Sequence, residues 1–188
     1  MRIVVGITGA TGAHMGWRLV EMLHELGHEA HVVISKWGQV TLQQETGHSV
    51  QELAELAHVF YDNRNLAAAI SSGSYPVDGM VIIPCSMKTL SAVANGYTEN
   101  LVVRAADVAM KERRKLVLVT RETPLSSIHL RNMLTLSDAG AVIMPPVLGY
   151  YSGLMGLEAL TDAFLGRVLN QFSIPNPYYR IWGVDVSL

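Results

Sequence analysis

The chain is poor in the residues that would mark many protein classes. Of 188 residues only one is cysteine, Cys85, 7% are aromatic and 16% are charged. A lone cysteine cannot close an internal disulfide or build a thiolate metal cage, and it fits a reducing compartment. Charges of the two signs nearly cancel, 14 Lys+Arg against 16 Asp+Glu. No global basic field is left to hold nucleic acid or an anionic membrane surface. Nor is there an apolar run of the ~20 residues a bilayer span needs. The opening run from Ile3 breaks at Gly6-Ile7-Thr8-Gly9, too short for an export segment. A cytoplasmic protein is the expectation. What the chain does have is hydrophobic residues, 49% of the total. That share excludes intrinsic disorder and predicts a large core or surface covered by other subunits. The length is that of one domain, with no linker or repeat to divide it.

Apolar segments alternate with helical ones. Strands are expected at Ile3 to Thr8, Ala30 to Ile34, Met80 to Pro84, Leu116 to Thr120 and Ala141 to Met144, with a brief extended piece at His58 to Tyr61. Helices are expected over Ala13 to Leu26, Lys36 to Glu45, from Ser49, Lys88 to Ala94, Asn100 to Arg113, Ser126 to Leu136 and Leu157 to Phe172. Strands apolar on both faces and separated by helices predict an α/β fold. The expected architecture is a doubly wound, mostly parallel sheet of the Rossmann-like or flavodoxin-like kind, covered on both faces. The last residues, 174–188, carry Pro175, Pro177, Tyr178, Tyr179 and Trp182 without periodicity, and are expected to pack on a neighbouring subunit.

In such sheets, ligands lie beyond the carboxyl ends of the strands. Gly9-Ala10-Thr11-Gly12 follows the first strand and would present backbone N–H groups and a hydroxyl at a helix start, which suits a phosphate. It is not G-x-G-x-x-G, and Ser35 stands after the second strand where a dinucleotide site would carry Asp or Glu. A mononucleotide with one phosphate, such as FMN, fits better. Ser86 and Thr89 flank Lys88 after the third strand, either as ligand groups or as helix caps. Arg121 and Glu122 follow the fourth, where a guanidinium could grip a phosphate or a flavin carbonyl and a carboxylate could move a proton; taken by themselves they read first as an ion pair with a neighbouring helix.

Other features read as structural. His24-Glu25-Leu26-Gly27-His28 spells a zinc-protease motif, but Gly27 should end the helix between the two histidines. Cys85 reads as a small buried residue, His129 as a satisfied polar group, and Lys111 to Lys115 as a solvated helix end, unless Lys111 points into a site.

The set Gly9-Ala10-Thr11-Gly12-Ala13, Ser35-Lys36, Pro84-Cys85-Ser86-Met87-Lys88-Thr89-Leu90, Arg104-Ala105-Ala106-Asp107-Val108, Lys111-Glu112-Arg113-Arg114 and Arg121-Glu122-Thr123-Pro124-Leu125-Ser126 resembles the UbiX/Pad-type flavin prenyltransferases. The resemblance spans nearly the whole chain. It implies transfer of a dimethylallyl group from dimethylallyl phosphate to N5 of reduced FMN. Ring closure onto C6 would then give prenylated FMN for a UbiD-type decarboxylase. By position it assigns FMN to Gly9, Ala10, Thr11, Ser35, Ser86, Met87, Lys88, Thr89 and Arg121. The prenyl phosphate falls to Lys111, Tyr151 and Arg167, proton transfer to Glu122, and an aromatic wall to Trp182. It further implies a dodecamer with sites at subunit junctions and no metal requirement. The chain departs from the family pattern at Leu148 and Leu154, where proline is usual, and at Arg131, where glutamate is usual. Two alternatives share the expected fold: an FMN-dependent decarboxylase of cysteine-containing peptides or of phosphopantothenoylcysteine, and a non-catalytic flavin carrier serving a decarboxylase.

Overall fold

Five of the apolar segments and the short extended piece pair side by side into one parallel sheet. In the computed structural model the described residues are 1–150, 153–181 and 183–184, and they fall into two units, 1–145 and 146–188. The first unit contains β1 (Arg2–Ile7), β2 (Glu29–Ile34), β3 (Val59–Tyr61), β4 (Gly79–Cys85), β5 (Lys115–Thr120) and β6 (Val142–Ile143), in the order β3-β2-β1-β4-β5-β6. All five strand pairings are parallel. The extended piece, as Val59–Tyr61, is thus a full sheet member. Its three half-buried residues on the outer edge are too few to show a strand's periodicity.

Helices α1 (Ala13–Glu25), α2 (Lys36–Thr46) and α3 (Val50–Leu56) pack together. The glycines of the first two mark their closeness to the sheet: a Cβ on Gly16 would lie 2.7 Å from the carbonyl of Ile83, and one on Gly38 2.8 Å from that of Ile7. Alternation along the strands turns Val4, Met80, Ile82, Leu116 and Leu118 the other way. There they join Leu101, Val102, Ala105 and Ala106 of α5 (Leu101–Lys111) and Leu90 of α4 (Met87–Ala94) in one buried cluster. Leu136 of α6 (Ser127–Asp138) closes that cluster. The fold is doubly wound, with helices on both faces, as expected.

α6 starts with a reciprocal cap. Ser126 Oγ accepts from the amide of His129, while His129 Nδ1 accepts from the amide of Ser126. His129 is a capping residue, which bears out its structural reading. α1 does end before His28: Gly27 has φ 73, and His28 Nδ1 lies 3.0 Å from the amino group of Met1. The two histidines of the zinc-protease spelling therefore share no helix face.

In the second unit, α7 (Leu157–Gln171) is followed by a tail that turns back on it. Asn176 Nδ2 donates to the carbonyls of Gly166 and Ile174 at 3.1 and 3.0 Å, and its Oδ1 accepts from the amide of Tyr178. A Cβ on Gly166 would meet Asn176 at 2.8 Å and Tyr178 at 3.1 Å. The first part of the tail is thus packed on its own helix, a contact the expected docking on a neighbour did not foresee. No helix among the described residues is long and apolar enough to cross a membrane.

Candidate active site

The strand order reverses between β1 and β4, and the carboxyl ends of these strands with those of β2 and β3 frame a cavity of about 430 Å³. That is within the range of small-molecule sites, at the place where doubly wound sheets bind them. Its walls include Thr8, Gly9, Ser35, Lys36, Trp37, Asn63, Ser86, Lys88, Thr89 and Asn100.

Three helix starts converge there, each capped by a residue of the wall. Ser35 Oγ accepts from Gly38 N at 3.0 Å at the start of α2. Ser86 Oγ accepts from Thr89 N at 3.3 Å at the start of α4 and lies 3.1 Å from Thr89 Oγ1. At α5, Asn100 Oδ1 accepts from Val103 N, and Asn63 takes the two amides before it, Leu101 N with its carbonyl and Val102 N with its side chain. The remaining first-turn amides of α2 and α4, with the positive ends of both dipoles, make one edge of the cavity an anion site.

Thr8 stitches the two central strands at this edge. Its Oγ1 donates to the carbonyl of Pro84 at 2.7 Å and accepts from the amide of Ser86 at 2.8 Å. Pro84 itself occupies the irregular end of β4, where register shifts between Ile82 and Cys85 and a missing donor is tolerated. Lys88 reaches across to Glu99, Nζ to Oε1 2.9 Å, and the hydrogen bond from Lys88 holds the Glu99 carboxyl below its usual range. Gly9 has no alternative. A Cβ there would stand 2.3 Å from Cβ of Trp37.

Of the residues assigned to the cofactor, Gly9, Ser35, Ser86, Lys88 and Thr89 are brought together. Ala10, Thr11 and Met87 do not line the cavity, and Met87 packs instead on the buried cluster. The donors of the Thr11–Gly12 turn are engaged within the chain by Glu45, in the last turn of α2. Its carboxylate accepts from Thr11 Oγ1 at 2.6 Å, from Gly12 N at 2.8 Å and from His14 N at 3.2 Å. A carboxylate at the start of α1 thus occupies the place foreseen for a phosphate. Burial raises the Glu45 pKa more than any single bond lowers it, yet the bonds from Thr11, Gly12 and His14 together outweigh burial and hold it below its usual value. A group depressed in this way adds stability above its unfolded pKa and loses it as pH falls through the folded one. Glu45→Ala should cost roughly 1–2 kcal/mol and, at about 2–4 °C per kcal/mol for this chain length, lower Tm at neutral pH. Calorimetric melts should show the gap from wild type narrowing in acid, and an equal Tm at neutral pH would contradict the assignment.

Arg121 and Glu122 stand exposed at the end of β5, on the same edge but outside the cavity wall. Arg121 N donates to the carbonyl of Cys85 at 3.1 Å, and Glu122 Oε1 accepts from Thr123 N at 3.0 Å. Just before them Thr120 Oγ1 is buried with no hydrogen-bond partner among the described residues. Lys111 is elsewhere. α5 runs from the cavity at Asn100 to the opposite edge of the sheet, about 16 Å away at 1.5 Å per residue, where Lys111 pairs with Glu112. Arg167 is exposed on α7, in the second unit, and Tyr151 and Trp182 lie outside the described residues. Cys85 is fully buried and its thiol is pushed up to about 12, so it is no nucleophile. Asn63 was not anticipated. Its only signal is an Asp-Asn-Arg-Asn turn after a three-residue strand.

The donor set fits a flavin mononucleotide. There is one anion site for one phosphate, with hydroxyls and an asparagine amide for a ribityl chain, in a cavity walled by Trp37.

The profile of the family named Flavoprotein matches residues 1–163. A probable UbiX-like flavin prenyltransferase of Streptomyces sp. (strain D7) is 52% identical over 183 residues, covering 97% of this chain and 92% of the relative. A crystal structure described as AnUbiX (PadA1) in complex with FMN and dimethylallyl pyrophosphate superposes with a TM-score of 0.95 at 47% identity, covering 97% of each chain. A dodecameric FMN-dependent UbiX-like decarboxylase from Escherichia coli O157:H7 gives a TM-score of 0.94 at 48% identity, covering 97% of this chain and 99% of that one.

Proposed function

This chain belongs to the flavoprotein family and, within it, to the UbiX-like flavin prenyltransferases, and from that premise we propose that it transfers a dimethylallyl group from dimethylallyl phosphate to reduced FMN. The observation that carries the reading is the near-complete likeness to a relative solved with FMN and a dimethylallyl donor.

Bound FMN in its reduced form supplies the nucleophilic N5 and C6 that accept the allyl group. The protein's part is to seat and polarise. The first turns of α2 and α4 hold the FMN phosphate, with Lys36 nearby, while Ser86, Thr89 and Asn63 orient the sugar chain and Gly9 lets the Trp37 turn close beside β1. Arg121 is assigned to a flavin carbonyl or phosphate by paired donors. Glu122, an exposed carboxylate beside it, takes the proton that leaves as the new ring closes.

Lys111, Tyr151 and Arg167 are assigned to the prenyl phosphate, where cationic and phenolic donors stabilise the charge that grows as the C–O bond breaks. The Trp182 ring is assigned to allyl-cation character over its face. Lys111 stands at the far edge of its own sheet, so it would serve the cavity of a neighbouring copy. Sites at subunit junctions follow, and a dodecamer is the assembly we propose, with 1–188 acting as one flavoprotein domain. The product would pass to a UbiD-type decarboxylase. The reduced flavin and the free Cys85 thiol are both suited to the cytoplasm, with no nucleic acid or membrane partner and no metal in the transfer step.

The test is anaerobic incubation with reduced FMN and dimethylallyl phosphate, followed by mass analysis of the flavin. Gain of one C5H8 unit is the expected result. Unmodified flavin on a chain that demonstrably binds FMN would overturn the transferase and leave a flavin carrier.

A further inference from the structure

At the edge of the sheet opposite the flavin cavity, three potential metal ligands face one another. Glu29 opens β2 beside Arg2 of β1, His31 follows it by two residues, and His58 immediately precedes β3. Positions two apart on a strand share a face. Glu29 Oε2 lies 3.5 Å from His31 Nε2 and 3.7 Å from His58 Nε2, and all three atoms lie within 4.8 Å of one another.

The two carboxylate–imidazole separations come within a few tenths of an ångström of those between ligands around one small ion. At metal–ligand distances of about 2.0–2.1 Å, the atoms of a tetrahedral site stand roughly 3.3–3.5 Å apart. His31 is 1% exposed, and its Nε2 has no hydrogen-bond partner among the described residues. A buried polar atom left in that state is costly, and it is aimed at the other two ligands.

The surroundings set the chemistry of each ligand. His31 Nδ1 lies 2.8 Å from Tyr61 Oη, and burial, with the Tyr75 hydroxyl nearby, pushes the Tyr61 phenol up to about 12. In the tautomer that carries its proton on Nδ1, His31 donates to the phenol oxygen and Nε2 keeps its lone pair for an ion. An outer-shell partner on the second nitrogen is the usual arrangement of a metal-binding histidine. Glu29 is held as a carboxylate by Arg2, whose Nε donates to Oε2 at 2.7 Å. Arg2 is in turn held by the carbonyl of Pro76 at 2.8 Å and lies over the ring of Tyr75. An oxygen of a carboxylate has two lone-pair directions, so one remains for an ion. The guanidinium opposes the ion's charge and weakens the site. His58 is exposed and leaves a fourth position open to water.

We propose that Glu29, His31 and His58 form a tetrahedral site for a divalent transition metal of the zinc class, completed by water and separate from the flavin cavity. The two imidazoles and one carboxylate are the ligands zinc takes, and the set excludes magnesium and calcium, which require oxygen. The proposal stands independently of the prenyl-transfer reading.

The test is calorimetric titration of the full chain with ZnCl2, paired with equilibrium dialysis and metal analysis. One saturable zinc per chain is expected. His58→Ala removes a ligand from an exposed position and should weaken binding by at least about 10–100-fold, the loss that even an outer-shell partner causes. Tyr61→Phe should weaken it about tenfold by freeing the His31 ring. His24→Ala, at the end of α1, should change nothing. No saturable uptake by wild type, or equal uptake by wild type and His58→Ala, would overturn the site.

Discussion

Glu122→Gln should leave FMN bound as in the wild type and slow prenyl transfer by about 10²–10⁴-fold, the share that a positioned acid–base group contributes. Glutamine keeps the shape of the side chain and an oxygen to accept from Thr123 N, the contact Glu122 makes at 3.0 Å. It removes only the capacity to take a proton. Single-turnover reactions with reduced FMN and dimethylallyl phosphate, quenched and read by flavin mass, separate transfer from binding. A wild-type rate would strip Glu122 of its role. Loss of FMN affinity would move it from proton transfer to cofactor seating.

The second large effect lies in the cavity wall. Gly9→Ala places a methyl group 2.3 Å from Trp37 Cβ and 3.2 Å from its carbonyl carbon. Neither atom is the far end of a flexible chain, so the first turn of α2 must move. Overpacking of this kind costs roughly 1–3 kcal/mol, and that turn carries the amides assigned to the FMN phosphate. Flavin titration should therefore show Kd raised about 10–100-fold at the 1.4 kcal/mol per tenfold conversion, in a protein that still folds. Unchanged affinity would mean that FMN does not rest against this turn.

The parts of this protein that were legible in its sequence are those with a strong local signal. Central strands such as Met80 to Pro84 are apolar on both faces, which only burial between two helix layers explains. Ser35, Ser86 and Asn100 each precede a helical stretch, so the caps and the strand ends coincide with the wall of the cavity. What stayed hidden depends on contacts between distant segments. Glu45 lies 34 residues from Thr11, and nothing in either local pattern says that one caps the other. Asn63 reaches α5 from a turn after a strand of three residues, 39 positions before the amide it caps. Lys111 belongs to a motif resembling a phosphate grip, but the direction of α5 carries it to the opposite edge. A motif in the sequence does not say to which end of the sheet its helix will carry it.

The anion site at the helix starts explains one further choice in the sequence. Glu45 ends α2, where a negative charge opposes that helix's own dipole. Its gain is at α1, whose free amides it satisfies from across the fold. One helix start is thereby closed by protein, and the starts of α2 and α4 are left as the places for a ligand phosphate.

The central claim is that one FMN sits at the carboxyl ends of β1, β2 and β4, against the starts of α2 and α4. Calorimetric titration of the purified chain with FMN, followed by amide exchange of the complex, tests it most directly. Binding of one FMN per chain, with exchange slowed at Trp37 and over Met87 to Lys88, is the predicted result. A chain that takes up no flavin, or one whose protected amides lie away from these two turns, would contradict it.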